Sequence, residues 1–148
     1  MKQIKLQTVR YSPGYGDMLG GGHSTTLKRD KDGSWIMVCR DREVHSEPTT
    51  VITYSVSEEA VTRLEEFIDK NKVIGLSKRP NSDLFATDYS PWSWNINYET
   101  TLFGKTKRDY CSFGEYKRYS KRDYELLKEL EKQFSALRGK KISETTEQ

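Results

Sequence analysis

The chain has 148 residues, of which 34% are apolar, 32% charged and 11% aromatic, and its 25 basic and 22 acidic side chains leave a net charge of +3. This length fits one domain, and the composition excludes collagen-like, transmembrane and disulfide-scaffold proteins. Full disorder is also disfavoured, because low hydrophobicity favours disorder most strongly when the net charge is high. We therefore predict a single domain at residues 1–139 with an aromatic-rich core, followed by a flexible polar tail at 140–148.

The N-terminal segment and the two cysteines indicate a compartment. Charged and polar residues interrupt the first apolar pairs, so no signal-peptide core is expected, and no apolar run approaches the roughly 20 residues that span a membrane. Cys39 and Cys111 lie in predicted strands, without a neighbouring His or Cys at metal-ligand spacing. These features predict a cytoplasmic protein with buried free thiols, no metal, no cofactor and no membrane partner.

Period-two alternation of apolar and polar residues predicts an antiparallel sheet. The clearest strand is residues 92–99, where Trp92, Trp94, Ile96 and Tyr98 alternate with four polar residues. Asp-Gly at positions 32–33, between two β-rich runs, predicts a hairpin in which Gly33 has a positive φ. The predicted strands are residues 3–11, 23–29, 34–40, 49–54, 92–99 and 108–114.

Two amphipathic helices are predicted at residues 57–72 and 120–138. Ser57 and Ser120 are suited to N-capping, and Asp123 stands where a capping box needs an acceptor. Each helix has a single apolar stripe. We therefore predict an α+β fold, with an antiparallel sheet of about five or six strands, both helices packed on one face and the other face open.

A glycine-rich loop at residues 12–22 suggests a ligand-binding region. A phosphate cradle would need a helix after the loop, whereas a strand is predicted there, so a turn-rich surface loop and a ligand-closing flap are the alternatives. The leading hypothesis is a non-catalytic module that binds a small molecule or a protein through this loop and the open sheet face. The candidate ligand-binding residues are Tyr11, Tyr15, Asp17 and His23.

A second hypothesis is single-stranded nucleic-acid binding through residues 105–122, which contain seven basic and two acidic side chains interleaved with aromatic residues. Basic groups neutralise phosphates, and aromatic faces stack on unpaired bases. The alternative is a solvated hairpin tip whose tyrosines pack on the sheet. The candidate contacts are Lys105, Lys107, Arg108, Tyr116, Lys117 and Arg118.

Three further alternatives concern the histidines, the tryptophan strand and self-association. A small hydrolase would use His23 with Asp17 or Asp88, provided that the fold brings them within hydrogen-bond reach. Trp92 and Trp94 are expected in the core, or otherwise in a platform that stacks on sugars or bases. An uncovered sheet face or edge would also suit a homodimer.

Overall fold

The computed structural model describes residues 3–14, 20–44, 47–82 and 91–147. Within these ranges seven strands form one antiparallel sheet, in the order β6-β5-β1-β2-β3-β4-β7. The elements in chain order are β1 (Gln3–Ser12), β2 (Gly20–Arg29), β3 (Trp35–Val44), β4 (Thr49–Val56), α1 (Glu58–Lys70), a 3₁₀ helix (Val73–Lys78), β5 (Ser93–Leu102), β6 (Lys105–Gly114), α2 (Lys121–Ser135) and β7 (Lys141–Glu147).

The predicted hairpin joins β2 and β3. Arg29 pairs with Trp35 across a turn in which Gly33 has a φ of +89°. The Asp30 N–H donates to the Ser34 carbonyl at 2.7 Å, which closes the turn. The Asp-Gly signal therefore located the turn, and β3 begins one residue later than predicted.

One face of the sheet forms the main core with the helices. Trp94, Ile96 and Phe113 belong to the same buried cluster as the apolar stripes of α1 and α2. On the opposite face, Ile36 belongs to a small separate cluster, while Asn97 is exposed. The predicted α+β class with an antiparallel sheet is confirmed.

Both helix starts have the predicted caps. The Ser57 hydroxyl accepts from the Ala60 N–H at 3.1 Å. Ser120 and Asp123 form a reciprocal capping box, with both hydrogen bonds at 3.1 Å. The helices begin one residue after these caps and end at residues 70 and 135, earlier than predicted. The capping signals therefore located the helix starts, while the apolar stripes overestimated the helix lengths.

The structure corrects the strand count and the C-terminal tail. The sheet has seven strands rather than five or six, and the predicted flexible tail at 140–148 contains β7, which pairs with β4. Without β7, β4 would be an edge strand with unpaired backbone N–H and C=O groups. Pairing with β7 satisfies these groups through the backbone, so it does not require apolar side chains in β7. Cys39 and Cys111 are buried free thiols, as predicted. None of the helices in the described ranges is long and apolar enough to cross a membrane.

Candidate functional site: an aromatic pocket

A cavity of about 190 Å³ lies where the end of β1, the start of β5 and α2 meet. Rings reach it from three parts of the chain: Tyr11 in β1, Trp92 just before β5 and Tyr124 in α2. We call this cavity the aromatic pocket. Its lining residues are Tyr11, Pro13, Trp92, Trp94, Tyr124, Leu127, Lys128 and Glu131.

Strand register and helical spacing bring these residues together. Tyr11 pairs with Trp94 across β1 and β5, and their stacked rings have centroids 4.2 Å apart. Tyr124, Lys128 and Glu131 follow one another at intervals of four and three residues, which places them on one face of α2. The pocket therefore joins a strand pair to one helix face.

A further tyrosine, Tyr119, packs against two of these rings. The Tyr119 ring stacks on Trp92 with a centroid distance of 5.9 Å and meets Tyr124 edge-on at 5.5 Å. Its hydroxyl donates to the Gly114 carbonyl at 2.7 Å. Burial raises the pKa of Tyr119 well above its ordinary value. Tyr119 is therefore a neutral donor that fixes the positions of Trp92 and Tyr124.

Glu131 gives the pocket a charged hydrogen-bond acceptor. Burial, followed by the nearby Glu131 carboxylate, raises the pKa of Tyr11 to about 12. The Tyr11 hydroxyl therefore stays protonated at neutral pH and donates to Glu131. Lys128, three residues earlier on α2, also lines the cavity. The lining thus combines aromatic rings with one negative and one positive side chain.

His23, another predicted site residue, lies on the same face of the sheet as Tyr11. Tyr11 pairs with Thr25 of β2, and His23 lies two residues further along β2; such diagonal neighbours have Cα atoms about 7–8 Å apart. The His23 Nδ1 is 2.7 Å from Oδ1 of Asp41, its partner across β2 and β3. Three other candidates fall outside the described residues: Tyr15, Asp17 and Asp88.

Four of these residues were not among the site residues predicted from the sequence. Asp41 could have been found from the hairpin alone, because the turn at Gly33 fixes a register that places it opposite His23. Tyr124, Lys128 and Glu131 form a helical row beside the apolar stripe of α2. That spacing could have marked the row, but not what it faces, because the position of α2 on the sheet depends on tertiary packing.

The proposed nucleic-acid surface is divided between the two ends of β6. A ten-residue strand is about 33 Å long, and the two groups of candidates lie near its opposite ends. Lys117 lies over the Tyr116 ring at 5.5 Å and donates to the Arg79 carbonyl at 3.1 Å. The first group is Lys105, Lys107 and Arg108, and the second is Tyr116, Lys117 and Arg118.

A larger cleft of about 640 Å³ lies between β1, β2 and α1. Glu65, which is 8% exposed, accepts from the Leu6 N–H at 2.7 Å. Arg29 lies 4.5 Å from the centre of the Trp35 ring and 3.3 Å from Glu58. The charged groups of this cleft contact partners within it, whereas aromatic rings from three parts of the chain converge in the aromatic pocket, which we take as the candidate functional site.

Comparisons with known protein families, curated proteins and solved structures found no match to this chain. In the described part of the chain, no group of three or more His, Cys, Asp or Glu side chains could hold a metal ion. The proposed function therefore rests on the geometry of the aromatic pocket.

Proposed function

We propose that this protein is a non-catalytic binding module whose ligand is a small organic molecule held in the aromatic pocket. The observation that carries the proposal is the convergence of Tyr11, Trp92 and Tyr124 on one cavity that Glu131 and Lys128 also line. Small-molecule sites typically combine apolar and aromatic walls with a few polar groups that orient the ligand. Tyr124 remains 48% exposed, so a ligand that covered its ring would remove apolar surface from water.

The size and charge of the pocket indicate the kind of ligand. Its volume of about 190 Å³ is below the roughly 300–1,000 Å³ of pockets for drug-sized ligands, so it suits one ring or a short side chain. Glu131 can accept a hydrogen bond from the ligand, and Lys128 can donate one. Glu131 and Lys128 carry opposite charges that offset each other, so the pocket favours neither a net cation nor a net anion. We therefore expect a neutral polar or zwitterionic ligand with a flat face.

Tryptophan fluorescence tests this proposal, because Trp92 and Trp94 both line the pocket. The full chain would be titrated with phenol, methyl β-glucoside, proline and choline. We expect phenol, the glucoside or proline to change the emission, and choline to bind more weakly than the best of them. Tyr124→Ala should weaken binding by about tenfold or more, since a buried aromatic contact contributes on the order of 1.5–3 kcal/mol.

The matched control is Tyr110→Ala, because Tyr110 is a similarly exposed tyrosine, 55% exposed, on β6. This variant should bind like the unchanged protein. Equal losses in the Tyr110 and Tyr124 variants, or no binding of any of the four compounds, would count against the aromatic pocket as a ligand site.

Hydrolysis is a second candidate function, favoured by the 2.7 Å contact between His23 Nδ1 and Asp41. A carboxylate on Nδ1 orients an imidazole so that its other nitrogen can act as a general base. The test is turnover of p-nitrophenyl acetate and p-nitrophenyl phosphate. Activity that is lost in both His23→Ala and Asp41→Asn would support hydrolysis, and activity that survives both changes would remove it.

We also propose a cytoplasmic location, which the free, buried state of Cys39 and Cys111 supports. Fractionation of cells that express the tagged chain would test it. Recovery in the cytosolic fraction is expected, and recovery from an oxidising compartment would contradict the proposal.

A further inference from the structure

The turn between β5 and β6 carries two large apolar side chains in the open. Phe103 is 88% exposed and Leu102 is 43% exposed. They lie at the end of a hairpin that forms one edge of the sheet. We call residues 102–108 the hairpin tip. Single exposed apolar residues are common, but two adjacent ones at a protruding turn form a compact apolar apex.

The backbone of the tip has a conformation that phenylalanine rarely adopts. Phe103 has a φ of +52° and Gly104 a φ of +77°. In two-residue hairpin turns with two positive φ angles, asparagine or aspartate followed by glycine is strongly preferred, and a bulky residue at the first position is an outlier. Asparagine or aspartate at position 103 would therefore stabilise the turn better than Phe103 does. Backbone strain of this kind is found preferentially at functional positions.

Three exposed basic residues follow this apex along β6: Lys105, Lys107 and Arg108. Lys105 and Lys107 occupy alternate positions on one side of the hairpin, and Arg108 lies on the other side. Arg108 is partly neutralised, because its Nε is 3.4 Å from a Glu99 oxygen. The net positive charge of the tip thus lies mainly with Lys105 and Lys107, on one face of the hairpin behind the apolar apex.

We propose that the hairpin tip docks on an anionic phospholipid surface. Phe103 and Leu102 would enter the interface between headgroups and acyl chains, while Lys105 and Lys107 would lie near the anionic headgroups. An apolar anchor combined with basic residues is the pair of signals that peripheral membrane binding requires. An exposed turn at the sheet edge, with lysines behind its apolar side chains, suits a flat surface approached end-on. A single-stranded nucleic acid could stack a base on Phe103 but would leave Leu102 without a role, whereas a lipid surface uses both apolar side chains.

This site is independent of the aromatic pocket. Leu102 lies eight residues beyond Trp94 on β5, which corresponds to about 26 Å of strand. The proposal departs from the expectation, drawn from sequence, that the protein has no membrane partner; that expectation was based on the lack of an apolar run long enough to span a membrane.

Vesicle co-sedimentation of the full chain tests the proposal. Vesicles of phosphatidylcholine alone would be compared with vesicles containing 30% phosphatidylserine, at low and at high salt. We expect binding to the phosphatidylserine vesicles that weakens with salt, and little binding to phosphatidylcholine alone. Lys105→Gln and Lys107→Gln should each weaken binding roughly fivefold, since a cation near such a surface is worth about 1 kcal/mol.

The decisive variant is Phe103→Asn, because it removes the apolar anchor and places a preferred residue in the turn. It should fold at least as stably as the unchanged chain and bind the vesicles at least about tenfold more weakly. Lys121→Gln is the charge control, since Lys121 lies at the start of α2, away from the tip, and it should bind normally. The proposal is overturned if the unchanged chain does not bind the phosphatidylserine vesicles, or if Phe103→Asn binds them equally well. It is also overturned if the chain binds single-stranded DNA and the two lysine changes weaken only that binding.

Discussion

Replacing Glu65 with alanine removes the side chain that joins α1 to β1. β1 pairs with β2 at residues 9–11, and the Leu6 N–H, outside that stretch, donates to the buried Glu65 carboxylate at 2.7 Å. In Glu65→Ala this donor loses its partner, and leaving a buried donor unsatisfied costs about 1–3 kcal/mol. The ion pair with Lys5 adds little, because its atoms are 3.9 Å apart and Lys5 is largely exposed.

We therefore expect Glu65→Ala to lower the free energy of unfolding by about 2–3 kcal/mol, and Glu65→Gln, which keeps an acceptor, to lower it by less. Urea denaturation followed by circular dichroism measures both values. The control is Glu66→Ala, an exposed change on the same helix, which should stay within about 0.5 kcal/mol of the unchanged chain. If the two alanine variants unfold at the same urea concentration, the assignment of Glu65 as the link between α1 and β1 is wrong.

Three other changes test the packing, the capping and the C-terminal strand. Gly139→Ala would place a Cβ 2.6 Å from a backbone carbonyl oxygen of β4, whereas a Cβ at Gly75 would meet open space. In thermal melts, Gly139→Ala should therefore lower the Tm, and the control Gly75→Ala should not. The hydrogen bond from Arg79 lowers the pKa of Asp123 in the folded protein. The ionised carboxylate therefore stabilises the fold at pH values above its unfolded pKa. This stabilisation is lost as the pH falls through the lowered pKa of the folded protein. Urea melts should therefore show that Asp123→Asn is destabilising by about 1–2 kcal/mol at pH 7, with a smaller difference at pH 3; an unchanged difference would contradict the ion pair. Removing residues 140–148 should leave β4 as an unpaired edge strand, and light scattering should then show that the shortened chain associates. If the shortened chain remains a stable monomer, β7 does not protect this edge.

Local signals predicted the elements that local chemistry decides. Ser120 and Asp123 located the start of α2 through their capping box, and Gly33 located a turn that only a positive φ allows. Strict alternation from Trp92 onwards identified β5. In each case the deciding interaction lies within a few residues of the signal.

The parts that sequence did not predict depend on partners far along the chain. β7 has no apolar alternation and forms because β4, about 90 residues earlier, offers a free edge. The aromatic pocket requires Tyr11 to stack on Trp94, a contact between strands that are distant in sequence. Tyr11 was singled out for its place beside the glycine loop, and the structure adds the rings and charges that surround it.

The most direct test of the aromatic pocket is nuclear magnetic resonance of the three indole N–H groups in the ¹⁵N-labelled chain. Trp92 and Trp94 line the pocket, while Trp35 lies in the separate cleft against Arg29. On titration with whichever of phenol, methyl β-glucoside or proline binds best, we expect the Trp92 and Trp94 resonances to shift and the Trp35 resonance to stay in place. A shift of Trp35 alone, or of none of the three at saturating ligand, would contradict the proposal that this pocket is the binding site.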